Sequence, residues 1–265
     1  MTSADGTELA CHVSGPQDAP PVVLIHGWSA AASSWGDVGA DRLRTFAVDL
    51  RGHGSSDRPA SGYRSSEVWA ADVATVLDLV GEPAVLVGWS YGGLVIADYL
   101  RHFGSAGVAG IVFVGAITEI GRHPGGRVGP AMRAALPAAL SEDADIAVPA
   151  LLELTRHMTA TPLTGAALQA GLSAPLSVPP FVRAEMFQRD VDNADLLRSV
   201  DVPTLFIHGA ADAVVDARAT EYAAGLVPGA ETRIYDGVGH MPFAERASEF
   251  STDLAAFVAS TKAGS

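Results

Sequence analysis

A serine, a histidine and an aspartate, each at the end of an apolar run, decide what this sequence can do. The serine stands in Gly88-Trp89-Ser90-Tyr91-Gly92-Gly93. Ala84-Val85-Leu86-Val87 precedes it, and Leu94-Val95-Ile96-Ala97-Asp98-Tyr99-Leu100-Arg101 follows, up to Gly104. This order predicts strand, sharp turn, buried helix. A G-x-S-x-G pattern in that context lifts the serine hydroxyl above the sheet. Gly88 and Gly92 are expected to pass close to the Ser90 side chain, where a Cβ would collide. Ser90 is expected at φ > 0, a strained backbone that persists at functional turns. The helix start adds N–H dipoles beside any negative charge that develops there. A serine hydroxyl is a weak nucleophile at neutral pH, so it needs a base, and the base needs an orienting acid.

Parallel sheets present reactive groups in the loops at their strand tips. Of eight histidines, His240 has the best such context, in Gly237-Val238-Gly239-His240-Met241-Pro242-Phe243 after the last strand. It is the expected base. His26 and His208 each sit in a strand-ending His-Gly step and read as turn-stabilising. His12, His102, His123 and His157 read as surface or packing residues. Asp212, in Gly209-Ala210-Ala211-Asp212 after a strand at 205–208, is the expected acid. Asp216 reads as a helix cap. Glu119 is the only acid shortly after the strand at 111–114, but Gly115 and Ala116 occupy that tip. Asp49, Arg51 and His53 read as a glycine-rich turn held by local hydrogen bonds and charge pairing.

The elements that must position these groups alternate in type. Asp5-Gly6 suggests a hairpin turn with a very short first strand, and Cys11 lies in a strand. Val22-Val23-Leu24-Ile25 is continuously apolar, as in a parallel strand buried on both faces. It ends in His26-Gly27-Trp28. Ser33-Ser34-Trp35 is expected to begin a helical segment. Further strands are expected at 46–50, 111–114, 203–208 and 232–235. Helices are expected at 67–79, 216–226 and 247–260. Between 118 and 195 the strand signal vanishes, and helical pieces appear at 128–140, 146–158, 166–172 and 178–188. Ser177 is a candidate cap for the last, with Pro179 or Pro180 in its first turn. The expected fold class is α/β, a mostly parallel central sheet flanked by helices with an inserted helical cap. Residues 1–117 and 196–265 form the core and 118–195 the cap.

With 265 residues, 48% of them hydrophobic and 18% charged, the chain can bury a large core. Its net charge of −13 argues against nucleic-acid or anionic-membrane partners. One lysine, Lys262, and one cysteine, Cys11, disfavour a Schiff-base site, exclude an intrachain disulfide and exclude a cysteine-rich zinc site. The start lacks a basic segment and an apolar core of the secretory type, which suggests a cytoplasmic setting. The expected partner is a small-molecule substrate, the chain being a monomer or homodimer.

The segments His26-Gly27-Trp28, Asp49-Leu50-Arg51-Gly52-His53-Gly54, Gly88-Trp89-Ser90-Tyr91-Gly92, Gly209-Ala210-Ala211-Asp212 and Gly239-His240 resemble α/β-hydrolase fold enzymes over nearly the whole length. Within that superfamily the chain is similar to cap-bearing serine esterases, carbon–carbon bond hydrolases and cofactor-free haloperoxidase/perhydrolase-like enzymes. The resemblance implies Ser90 as nucleophile, His240 as base and Asp212 as orienting acid. It also implies the Trp28 and Tyr91 backbone amides as oxyanion hole, with no metal or organic cofactor. Ser90 stands where epoxide hydrolases and haloalkane dehalogenases carry aspartate. Ser29 stands where perhydrolase-like relatives commonly carry proline. The expected activity is hydrolysis of a carboxylic ester or lactone of small to medium, largely apolar character. The alternatives are carbon–carbon bond hydrolysis, with a cap arginine (Arg122, Arg127, Arg133, Arg183 or Arg189) facing Ser90, a perhydrolase-like activity, or a non-catalytic ligand-binding protein. Trp28, Trp89, Tyr91, Met158, Met186 and Met241 are the expected pocket residues.

Overall fold

The computed structural model describes residues 1–39 and 41–263. The strands are β1 (Cys11–Ser14), β2 (Pro21–Ile25), β3 (Arg44–Val48), β4 (Ala84–Trp89), β5 (Val108–Val114), β6 (Thr204–Gly209) and β7 (Glu231–Tyr235). They form one sheet in the order β1-β3-β2-β4-β5-β6-β7. Only β1 runs antiparallel, against β3. Every residue of β2, β4 and β6 is buried. This is why those segments read as unbroken apolar runs: a central parallel strand is covered on both faces.

The period of two sorts these residues between two cores. Val23, Ile25, Leu86, Ile111 and Phe113 face the helices α1 (Ser66–Val80) and α2 (Tyr91–Phe103). Val22, Leu24, Val85, Val87 and Val112 face the other way. There Trp35, Phe250, Leu254 and Phe257 cover them. α1 begins where Ser65 Oγ accepts the Val68 N–H and stops at Gly81, φ 74°. Both signals are legible in the sequence.

Between β5 and β6 the chain leaves the sheet as five helices. They are α3 (Pro130–Ala139), α4 (Ala144–Arg156), α5 (Gly165–Ser177), α6 (Pro180–Met186) and α7 (Ala194–Arg198). After β6 follow α8 (Ala217–Leu226), α9 (Pro242–Glu245) and α10 (Ala247–Ala263). Three details depart from expectation. α5 runs past residue 172 with Pro175 inside it, so Ser177 ends α5, and Pro179 rather than Ser177 stands at the cap of α6. α7 has five residues, too few for a helical period to register. The segment at 33–35 makes only one 3₁₀ turn, Ala32–Trp35, ended at Gly36 with φ 56°. The Asp49 carboxylate takes the Ala32 N–H, 2.7 Å, and the Ser55 N–H, 2.9 Å, which explains an acid buried at the end of β3. Arg51 forms a bidentate pair with Asp72 and a further bond to Asp5. Among the described residues no helix is long and apolar enough to cross a membrane.

Candidate active site

Ser90 connects β4 to α2 with φ 56° and ψ −119°. That conformation costs a non-glycine residue about 1–3 kcal/mol unless its surroundings enforce it. Here they do: the Ser90 N–H donates to Val114 O, 3.0 Å, and its carbonyl accepts the Ile117 N–H, 3.1 Å. The exit of β5 therefore grips the turn from both sides. The glycines serve a different contact from the one expected. A Cβ on Gly88 would meet the Gly92 backbone at 2.7 Å, and one on Gly92 would strike the Ile25 carbonyl. The collision with Ser90 belongs instead to Gly27, whose Cβ would lie 2.8 Å from Ser90 Cβ.

The candidate base and the candidate acid follow β7 and β6. His240 Nδ1 lies 2.7 Å from Asp212 Oδ2, and both side chains are almost fully buried. Asp212 Oδ1 accepts the N–H groups of Val214, 2.7 Å, and Val215, 2.9 Å. Burial alone would raise this carboxyl. The His240 charge, with the histidine hydrogen bonds, outweighs it and holds Asp212 well below the usual carboxylate range. The pair passes directly over Gly115, φ 49°, where a Cβ would sit 3.2 Å from both Asp212 Oδ2 and His240 Nδ1. The β5 tip has no room for an acid of its own. Glu119 is turned away and fully buried, accepting the Gly125 N–H at 2.8 Å.

Ser90 and His240 line one cavity of about 510 Å³ between the sheet and α3–α5. His240 Nε2 is buried and has no partner among the described residues. It forms no hydrogen bond with Ser90 Oγ here; such bonds are often long or misaligned before substrate binds. The N–H groups of Trp28 and Tyr91 have no acceptor among the described residues. Tyr91 is the first residue of α2, so its N–H is free by helix geometry.

The pocket residues divide. Trp28, Trp89, Met158 and Met241 line the cavity; the side chains of Tyr91 and Met186 do not. Tyr91 points into the seam between sheet and cap, where its hydroxyl donates to Met186 O, 3.0 Å, and accepts from Arg189 Nη1, 3.1 Å. Met186 is completely buried in that seam. The wall that sequence reasoning missed is α5, which presents Ala167, Ala170, Gly171 and Ala174 to the cavity. Their i, i+3, i+4, i+7 spacing is a legible signal for one small-residue face.

The loop carrying His240 is braced by Trp89, Met158 and Glu245. Trp89 Nε1 donates to His240 O, 2.8 Å, and the His240 N–H donates to Met158 O, 3.0 Å. The Glu245 carboxylate accepts the Gly239 N–H and the Ala160 N–H, each at 2.8 Å.

The model of the alpha/beta hydrolase family matches residues 22–253. The chain belongs to this family. The hydrolase is similar to a solved esterase, RhEst1 from Rhodococcus sp. ECU1013, with 45% identity over 98% of each chain and a TM-score of 0.92. It is 32% identical to a non-heme chloroperoxidase of Streptomyces lividans, over 98% of this chain and 99% of that one. It is 29% identical to a 2-hydroxymuconate semialdehyde hydrolase of Pseudomonas putida, over 92% of this chain and 88% of that one.

Proposed function

We propose that this hydrolase cleaves carboxylic esters or lactones of neutral, largely apolar, small to medium substrates through an acyl-enzyme on Ser90. Ser90 Oγ attacks the carbonyl carbon while its proton passes to His240 Nε2. The Trp28 and Tyr91 N–H groups receive the oxyanion; one such donor is typically worth roughly 10²–10³ in rate. His240 returns the proton to the departing alkoxide and then deprotonates water, which releases the acid and restores Ser90. Asp212 holds the imidazole tautomer and offsets the imidazolium charge.

One observation carries the substrate class. Apart from His240, no ionisable side chain stands among the described residues that line the cavity. Its volume lies within the ~300–1,000 Å³ usual for small-molecule sites. A substrate carboxylate would find no cation there. Arg183 is buried elsewhere, donating to the carbonyls of Ala139, Pro175 and Val178, and Arg189 pairs with Asp98. Arg122, Arg127 and Arg133 do not line the cavity either. The carbon–carbon reading, which needs such a cation, is therefore the weaker one. The net charge of −13 also disfavours the approach of anionic substrates.

The test is initial rates on p-nitrophenyl acetate, butyrate and octanoate for the wild type and Ser90→Ala. Saturable turnover that falls by several orders of magnitude in the variant supports the reading; loss of the serine costs roughly 10⁶ in kcat in subtilisin. Folded wild-type protein without ester turnover, or activity that survives in Ser90→Ala, overturns it.

A further inference from the structure

His208 is a second histidine at the acid. Its Nε2 lies 3.2 Å from Asp212 Oδ2, the same oxygen that His240 Nδ1 approaches at 2.7 Å. The same Nε2 is hydrogen-bonded to Val215 O at 3.1 Å, and Nδ1 lies 2.8 Å from Thr220 Oγ1. The imidazole is fully buried at the end of β6, four residues before Asp212.

These partners assign the proton. Nε2 faces a carboxylate and a carbonyl, both acceptors only, so it must carry hydrogen. In the neutral ring Nδ1 is then an acceptor and takes the Thr220 hydroxyl proton. Thr220 thus donates to His208, and His208 and the proposed base His240 both donate to Asp212 Oδ2, so the carboxylate is held from two sides. His208 also holds the backbone of the turn that shapes the acid. Val214 and Val215 donate to Oδ1, and the Val215 carbonyl accepts from His208.

A carboxylate on a loop has rotational freedom about its Cβ–Cγ bond. Two N–H groups fix Oδ1. On the other side, His208 Nε2–H competes with rotation that would withdraw Oδ2 from His240. A bare strand-ending turn needs neither the contact with Oδ2 nor a tautomer locked by Thr220.

We propose that His208 is a positioning residue for the catalytic acid: with Thr220 behind it, it fixes Asp212 so that Oδ2 stays on the Nδ1–H of His240. This rests on the Ser90–His240–Asp212 reading above. His208 does not line the cavity.

The experiment compares wild type, His208→Ala, His208→Gln and Thr220→Val on p-nitrophenyl butyrate. It adds the downfield proton resonance of the His240 Nδ1–H, identified by its loss in His240→Ala. His208→Ala should lower kcat about 10–100-fold, the range orienting partners carry in metal sites, with KM changed less than about threefold. The resonance should move or broaden. His208→Gln, which restores an N–H near the same place, should recover part of kcat. Thr220→Val should lower kcat about two- to tenfold, because Nδ1 loses its donor while side-chain volume is kept. Folded variants with wild-type kcat and an unmoved resonance overturn the proposal. If His208→Ala does not fold, His208→Gln and Thr220→Val decide by the same two readouts. Ester turnover surviving in Ser90→Ala would instead condemn the serine reading. The resonance, which needs no turnover, still tests whether His208 positions Asp212.

Discussion

Trp89 Nε1 donates a hydrogen bond to the carbonyl oxygen of His240 at 2.8 Å, with the two rings 5.3 Å apart. The residue before the proposed nucleophile thereby holds the backbone of the proposed base, 151 positions away in sequence. Sequence reasoning gave Trp89 a place in the pocket wall. Trp89 lines the cavity and also holds the His240 backbone.

Trp89→Phe keeps an aromatic ring but removes the donor and leaves the buried His240 carbonyl unpaired. An unsatisfied buried acceptor costs about 1–3 kcal/mol. The expected result is a lower denaturant midpoint and a fall in kcat that exceeds any rise in KM. Steady-state kinetics with urea unfolding checks both.

Glu245 ties the His240 loop to the cap through Gly239 and Ala160. Glu245→Ala leaves both N–H groups without that partner, whereas Glu245→Gln keeps one acceptor. The alanine variant should lose kcat and show faster proteolysis near residues 157–163. The glutamine variant should fall between it and the wild type. Limited proteolysis followed by mass spectrometry reads the cleavage site.

Arg189 and Asp98 form a buried pair at 2.6 Å between the cap and α2. Burial pushes the Asp98 carboxyl up to about 6 despite the arginine. Asp98 Oδ2 and Arg189 Nε have no hydrogen-bond partner among the described residues. Arg189→Met should destabilise the fold by about 3–5 kcal/mol, since it strands a buried acid. Combining it with Asp98→Leu should recover much of the loss. Urea unfolding of the three variants measures the coupling.

The His26 imidazole is driven down to about 4 by burial, and His53 to about 3 by burial and by its neighbour His26. Unfolded histidines titrate near ~6.5. Below that pH the unfolded chain takes up protons that the native histidines refuse. Stability therefore falls as pH drops from about 6.5 toward 4 and 3, and is fully present above that window. The urea midpoint should be lower at pH 5 than at pH 7. His26→Gln should make the midpoint less dependent on pH across this window.

What was legible in the sequence was what local pattern encodes. Val22–Ile25, Ala84–Val87 and Leu205–His208 announce strands buried on both faces, and their tips carry the residues that can do chemistry. The structure brings Ser90, His240 and the Trp28 and Tyr91 amides to one end of the sheet, with Asp212 behind His240. What was not legible depends on orientation and distant contact. Helical spacing in the cap shows that Met186 is apolar but not that it faces the seam instead of the cavity. A His-Gly step looks alike at His26 and His208, yet His26 Nε2 accepts the Leu50 N–H and His208 reaches Asp212. The helical piece expected at 166–172 continues to Ser177, because Pro175 lies in the last turn and does not end it.

An alkyl p-nitrophenyl alkylphosphonate, a neutral diester, transfers its phosphonyl group to an activated serine and releases p-nitrophenolate, and so reports whether Ser90 is the nucleophile. The expected result is one equivalent released, loss of ester turnover, and the label on the peptide containing Ser90. Labelling should be much slower in Asp212→Asn, and that peptide should carry no label in Ser90→Ala. Label on a different residue, or full ester turnover after complete labelling of Ser90, would contradict it.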